Sequence, residues 1–122
     1  MFPTRIHLNK KTWDRLQYLQ TKTRLTPNVI ARVAITLALR DTRTASISDS
    51  HPDQTHIINR DVLFGEHEQS FQAMIRQFLW EQNISSDIQA VIRSLIDSGL
   101  HKLGHVQSLS GLAENFFERY ST

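Results

Sequence analysis

The string with the most obvious chemical capacity is Glu66-His67-Glu68, where two carboxylates flank an imidazole. Such a trio can move protons or hold a divalent metal. Adjacent residues at a helix start point in different directions, however, and acids in a first turn complement the helix dipole. The structural explanation is preferred. His101 and His105 have the four-residue spacing that sets two imidazoles on one helical face. Gly104 weakens a helix between them, no third ligand is evident, and His7, His51 and His56 share no spacing. No metal site is expected.

Other catalytic signatures are missing as well. The chain has no cysteine, which excludes thiolate nucleophiles, zinc–thiolate and iron–sulfur ligation, and disulfides. There is no Gly-x-Ser-x-Gly elbow and no Ser-x-x-Lys dyad. The four glycines, Gly65, Gly99, Gly104 and Gly111, form no phosphate-cradling loop. The expectation is a chain with no catalytic residues and no cofactor.

Charge is the stronger signal. The formal net charge is +2 over 122 residues, but it is unevenly spread. Residues 1–45 hold nine basic side chains against two acids, a balance of +7, while residues 46–122 hold five against ten, a balance of −5. A basic half points to a polyanionic partner; the plain alternative is a solvated basic surface.

The elements that would carry those charges can be read from periodicity. Thr4-Arg5-Ile6-His7-Leu8 alternates as a short half-buried strand does, with Ile6 and Leu8 on one side and Arg5 and His7 on the other. Asn9 is a natural N-cap for a helix running to about Lys22, in which Trp13, Leu16 and Leu19 form a narrow apolar stripe. Lys10, Lys11, Arg15 and Lys22 lie at the ends of that helix or off its stripe. Thr26-Pro27 opens a second helix to Arg40. That helix is apolar on nearly every side, so it must be buried all round, and one neighbour cannot cover it. Val29, Ile30, Val33 and Leu37 are therefore expected to form an oligomer core.

Residues 41–57 turn polar and read as a loop. A second helical block, 58–122, follows. Phe71, Met74, Ile75, Phe78 and Leu79 mark a helix ending near Asn83. Ser85 or Ser86 caps another, striped by Ile88, Val91, Ile92, Leu95 and Ile96 and closed by Gly99 as the C′ residue. Ser110–Tyr120, with Leu112, Phe116, Phe117 and Tyr120, has the pattern of a short final helix. The fold class expected is mainly α, a single domain of four to five helices with at most one short N-terminal strand. No secretion signal or membrane-length apolar run is visible, so a cytoplasmic protein is expected.

A basic strand, capped helix, turn and second helix also resemble the ribbon-helix-helix arrangement, in which a paired β-ribbon enters the DNA major groove. In that arrangement Arg5, His7 and Asn9 would read bases, while Lys10, Lys11, Lys22 and Arg24 would meet phosphates. An ordinary helical hairpin with a basic surface meets the same pattern.

Three stretches carry a wider resemblance: Arg5-Ile6-His7-Leu8-Asn9, Leu25-Thr26-Pro27-Asn28-Val29, and Asn59 to His67 with its Leu63-Phe64-Gly65-Glu66 segment. They resemble the DndE family, the E subunit of the Dnd DNA-sulfur-modification system. The resemblance implies a small helical accessory subunit of a complex that replaces a non-bridging phosphate oxygen of DNA with sulfur. Sulfur mobilisation and nucleotide hydrolysis would lie in other subunits. It also implies a homo-oligomer, with a tetramer as the expected number, and partners comprising double-stranded DNA and other Dnd-complex subunits. The competing readings are a ribbon-helix-helix transcriptional regulator, a nuclease or metal-dependent hydrolase, and a scaffold that touches only protein.

Overall fold

The computed structural model describes residues 2–41 and 56–104. Residues 42–55 of the expected 41–57 loop and the expected final helix over Ser110–Tyr120 lie outside the described residues, as do His51 and His105, while His56 and Ile57, expected in that loop, belong to a strand.

The chain opens with strand β1 (Arg5–Leu8), whose Ile6 and Leu8 are fully buried. Helix α1 (Lys10–Thr23) follows directly from Asn9, which has the extended backbone of an N-cap. Arg24 ends α1 in the left-handed conformation (φ 64°), and its N–H donates to the Gln20 carbonyl at 2.8 Å. A non-glycine residue held there costs about 1–2 kcal/mol. Three residues further on, Pro27 takes the first position of α2 (Pro27–Arg40).

The expected single strand has a partner. Strand β2 (His56–Asn59) pairs antiparallel with β1, Ile6 opposite Ile58 and Leu8 opposite His56. Each fully buried Ile or Leu contributes about 1.5–3 kcal/mol. A one-residue slip would expose both Ile6 and Leu8, which fixes the register. The short helix α3 (Arg60–Phe64) and a 3-10 turn (Gly65–His67) then lead into α4 (Glu68–Glu81). Gly65 permits that turn with φ 55°, and a Cβ there would stand 3.1 Å from the Arg32 guanidinium.

The last described helix, α5 (Ile88–Leu103), departs from the sequence expectation at both ends. Its N-cap is Asp87 rather than Ser85 or Ser86, and Gly99 lies inside it rather than closing it. The reason is tertiary. α5 packs closely along α2, and a Cβ on Gly99 would fall 1.8 Å from the Ala34 carbonyl oxygen. Ala31, Ala34 and Ala38 are fully buried and give α2 the small surface this approach needs.

α2 is thus the central helix, as its apolar character requires, but its cover comes chiefly from its own chain. It packs on α5, α1, α3 and α4. Of the four residues expected in an oligomer core, Ile30 is corrected: at 1% exposure it is already sealed in the chain's own core. Val29, Val33 and Leu37 remain half-buried. The rest of the core joins Ile6, Leu16, Ile35, Leu63 and Ile75 to the buried stripe of α5, with Phe64 between Phe2 and Phe71 at ring separations of 4.9 and 5.2 Å. The architecture is mainly α, and among the described residues no helix is long and apolar enough to cross a membrane.

Candidate nucleic-acid interface

α1 is held against the molecule by one side. Thr12 and Leu16 are its buried residues, and the Thr12 hydroxyl donates to the Asp97 carboxylate of α5. Trp13 stacks on His56 of β2 with ring centroids 4.8 Å apart and planes 9° from parallel. These contacts fix which side of the helix faces outward.

Lys11, Arg15, Tyr18 and Lys22 recur at i, i+4, i+7 and i+11, the spacing of a single helical stripe, in which Lys11, Tyr18 and Lys22 are exposed and Arg15 is half-buried. The run from Lys11 to Lys22 is about 16 Å long at the helical rise. Tyr18 is 58% exposed in its middle, and the Lys22 ammonium lies 5.0 Å from its ring centroid, within cation–π range. Lys10, Lys11, Asp14, Arg15 and Tyr18 line one shallow depression of about 440 Å³. Asp14 is the single acid on that surface.

The polarity of the helix matters here. Lysines in a first turn oppose the helix dipole, which favours anions at that end. Lys10 and Lys11 occupy that turn, it holds no acid, and the Asn9 side chain makes no capping bond. The positive end of the helix and the exposed Lys11 therefore stand together without a local acid.

The remaining sequence-predicted residues stand on other elements. Arg24 is exposed at the C-cap of α1. Arg5 is exposed on β1, and His7 is half-buried with a sheltered Nδ1 that has no hydrogen-bond partner. Gln89 of α5 clamps this strand: its Oε1 accepts from the His7 N–H at 2.9 Å, and its Nε2 donates to the Arg5 carbonyl at 2.8 Å. With β2 on one edge and Gln89 on the other, β1 offers no open edge to a second copy. A ribbon-helix-helix dimer needs such an edge, so this alternative is not favoured.

Cations in the acidic half have a different fate. Arg60 Nε is 2.7 Å from a Glu68 oxygen and its Nη1 donates to the Phe2 carbonyl; Lys102 Nζ is 2.6 Å from Asp41. Glu68 is thereby tied down as a structural carboxylate. Glu66 and His67 are exposed side by side at the 3-10 turn, 3.9 Å apart. Among the described residues, Lys11, Arg15 and Lys22 are in no ion pair. Sequence reading named these cations but did not order them into a stripe; the i, i+4, i+7, i+11 spacing, with Tyr18 included, was the available signal. The clamp by Gln89 had no local signature, because it joins residues more than 80 positions apart.

Comparison with known proteins adds the following. Residues 5–110 match the family model described as DndE, DNA sulphur modification protein DndE. The fold is similar to the crystal structure of DndE from Escherichia coli B7A, involved in DNA phosphorothioation modification. That match has a TM-score of 0.69 and 23% identity, and covers 84% of this chain and 98% of that one. It is also similar to a glycine-to-lysine mutant of DndE involved in DNA phosphorothioation, with a TM-score of 0.65, 21% identity and coverages of 85% and 99%. At these identities the two structures speak for the fold alone. Comparison with curated proteins finds no match.

Proposed function

This chain belongs to the DndE family of DNA sulphur modification proteins, and on that premise we propose that it is a non-catalytic, DNA-binding subunit in DNA phosphorothioation. It holds duplex DNA, intact or nicked, by its backbone phosphates. The observation that carries this reading is the outward stripe of α1, where Lys11, Arg15 and Lys22 share one side with the exposed Tyr18. Lysines and arginines on a helix surface grip phosphates without reading bases, which suits a subunit that positions DNA for chemistry done elsewhere. The chain's lack of cysteine agrees with that division, since thiolate-borne sulfur must come from another subunit. Those other subunits are its proposed protein partners, in the cytoplasm where the DNA is.

A homo-oligomer, as a tetramer, would set several such stripes on one DNA. The half-buried Val29, Val33 and Leu37 of α2 are the residues available for that contact. The test is binding of unrelated duplexes of equal length over a range of salt. A phosphate-gripping subunit binds them alike and weakens steeply as salt rises. Strong preference for one sequence would favour a transcriptional regulator instead. Reversing Lys10, Lys11 and Lys22 to Glu abolishes binding under this reading and leaves a purely protein-binding scaffold unaffected.

A further inference from the structure

We propose that α1 also takes single-stranded DNA along its length, with the Tyr18 ring as the stacking platform for an unpaired base. Two aromatic rings stand exposed among the described residues, Tyr18 at 58% and Trp80 at 79%. Trp80 is on α4, next to Glu81. Tyr18 stands among cations instead. The Lys22 ammonium is 5.0 Å from its ring centroid, and the ring lines the depression of about 440 Å³ together with Lys10, Lys11, Asp14 and Arg15. An exposed ring in a basic groove is the combination by which proteins hold single strands: cations follow the backbone and the ring stacks on bases.

The order of these residues along the helix fits a strand lying on it. Lys11 precedes Tyr18 by about 10 Å and Lys22 follows it by about 6 Å at the helical rise. Phosphates of one strand gripped on both sides therefore leave the intervening bases at the ring. The run from Lys11 to Lys22 spans about four to five nucleotides at a rise of about 3.4 Å. Within a duplex every base already has a neighbour on both faces, so Tyr18 meets backbone alone. An unpaired strand offers the same charge and a free π-face as well. Stacking on an aromatic side chain is worth roughly 5- to 150-fold in affinity per base. This role rests on the phosphate-gripping reading of α1 and deepens it: the cations supply the strength common to all DNA, and Tyr18 adds a preference for unpaired strands.

The test is equilibrium binding by the full chain, at one salt concentration, of three DNAs. They are a short single strand of mixed sequence, the same strand with abasic central positions, and a duplex of the same length. Tyr18→Ala and Tyr18→Leu should weaken single-strand binding about tenfold or more and duplex binding by less than about twofold. Tyr18→Phe, which keeps the ring, should stay within about twofold of the native chain on both. The native chain should bind the abasic strand about as weakly as Tyr18→Ala binds the intact one. No loss in Tyr18→Ala, equal losses on single strand and duplex, or a loss in Tyr18→Phe as large as in Tyr18→Ala overturns the stacking role; the last would give the contact to the hydroxyl. A native chain that binds the duplex and not the single strand also overturns it and leaves the phosphate-gripping reading in place, whereas binding of neither DNA overturns both. As a second readout, 5-iododeoxyuridine in the single strand crosslinks under ultraviolet light to the side chain stacked on it. A crosslink at Tyr18, located by mass spectrometry, is expected, and crosslinks only at other residues count against the stacking role.

Discussion

Fourteen residues of α1 and sixteen of α5 adopt the same local structure, yet only Thr12 and Leu16 are buried in the first against ten positions in the second. α5 has its apolar and small residues distributed around much of its circumference, so it lies inside the molecule. α1 confines its apolar residues to one stripe and leaves a neighbouring flank to Lys11, Arg15, Tyr18 and Lys22, three of them exposed and Arg15 half-buried. The difference separates two kinds of work. Substitutions in α5 should alter stability, whereas substitutions on the outer side of α1 should alter DNA binding and leave folding intact.

The sharpest way to break that separation is Gly99→Leu. A side chain cannot enter where even a Cβ would meet the Ala34 backbone. The α2–α5 pair must move apart, with an expected loss of about 3 kcal/mol or more, read by urea unfolding. Thr12→Val comes next, because it removes the donor that ties α1 to Asp97 and leaves a carboxylate without that bond. The expected loss is about 1–3 kcal/mol by the same measurement. Gln89→Ala has a smaller effect. It frees both backbone groups of β1, so about 1–2 kcal/mol of stability is lost and exchange of the His7 amide accelerates.

The two helices also differ in how far the sequence disclosed them. α1 was legible from local rules, since Asn9 stands at its N-cap position and its charges and apolar residues keep a helical period. α2 was legible at its start from Thr26 and Pro27, but its surroundings were not. Its all-round apolar surface demands cover on every side, and α5 and three other helices of the same chain supply much of it, leaving Val29, Val33 and Leu37 half-buried. The hint was present in Ala31, Ala34, Ala38 and Gly99, small residues that permit two helix backbones to approach. A glycine near a helix end reads first as a terminator, and only the tertiary packing shows that it is an interior contact. β2 was missed for a related reason: His56-Ile57-Ile58-Asn59 does not alternate, and its pairing to β1 spans half the chain. In the basic surface, the residue types were legible and their shared side of α1 was computable. The enclosure of β1 by β2 and Gln89 was not, and that enclosure sets aside the ribbon reading.

The most direct test of the division between the two helices is the salt dependence of duplex binding by the native chain and by the triple variant Lys11→Gln, Arg15→Gln, Lys22→Gln. Three phosphate contacts account for a slope of about −2.7 in log affinity against log salt. The variant should lose about that much slope and bind about a hundredfold more weakly near physiological salt, with unfolding unchanged within about 0.5 kcal/mol. An unchanged slope in a folded variant would contradict the account and place any DNA contact away from α1.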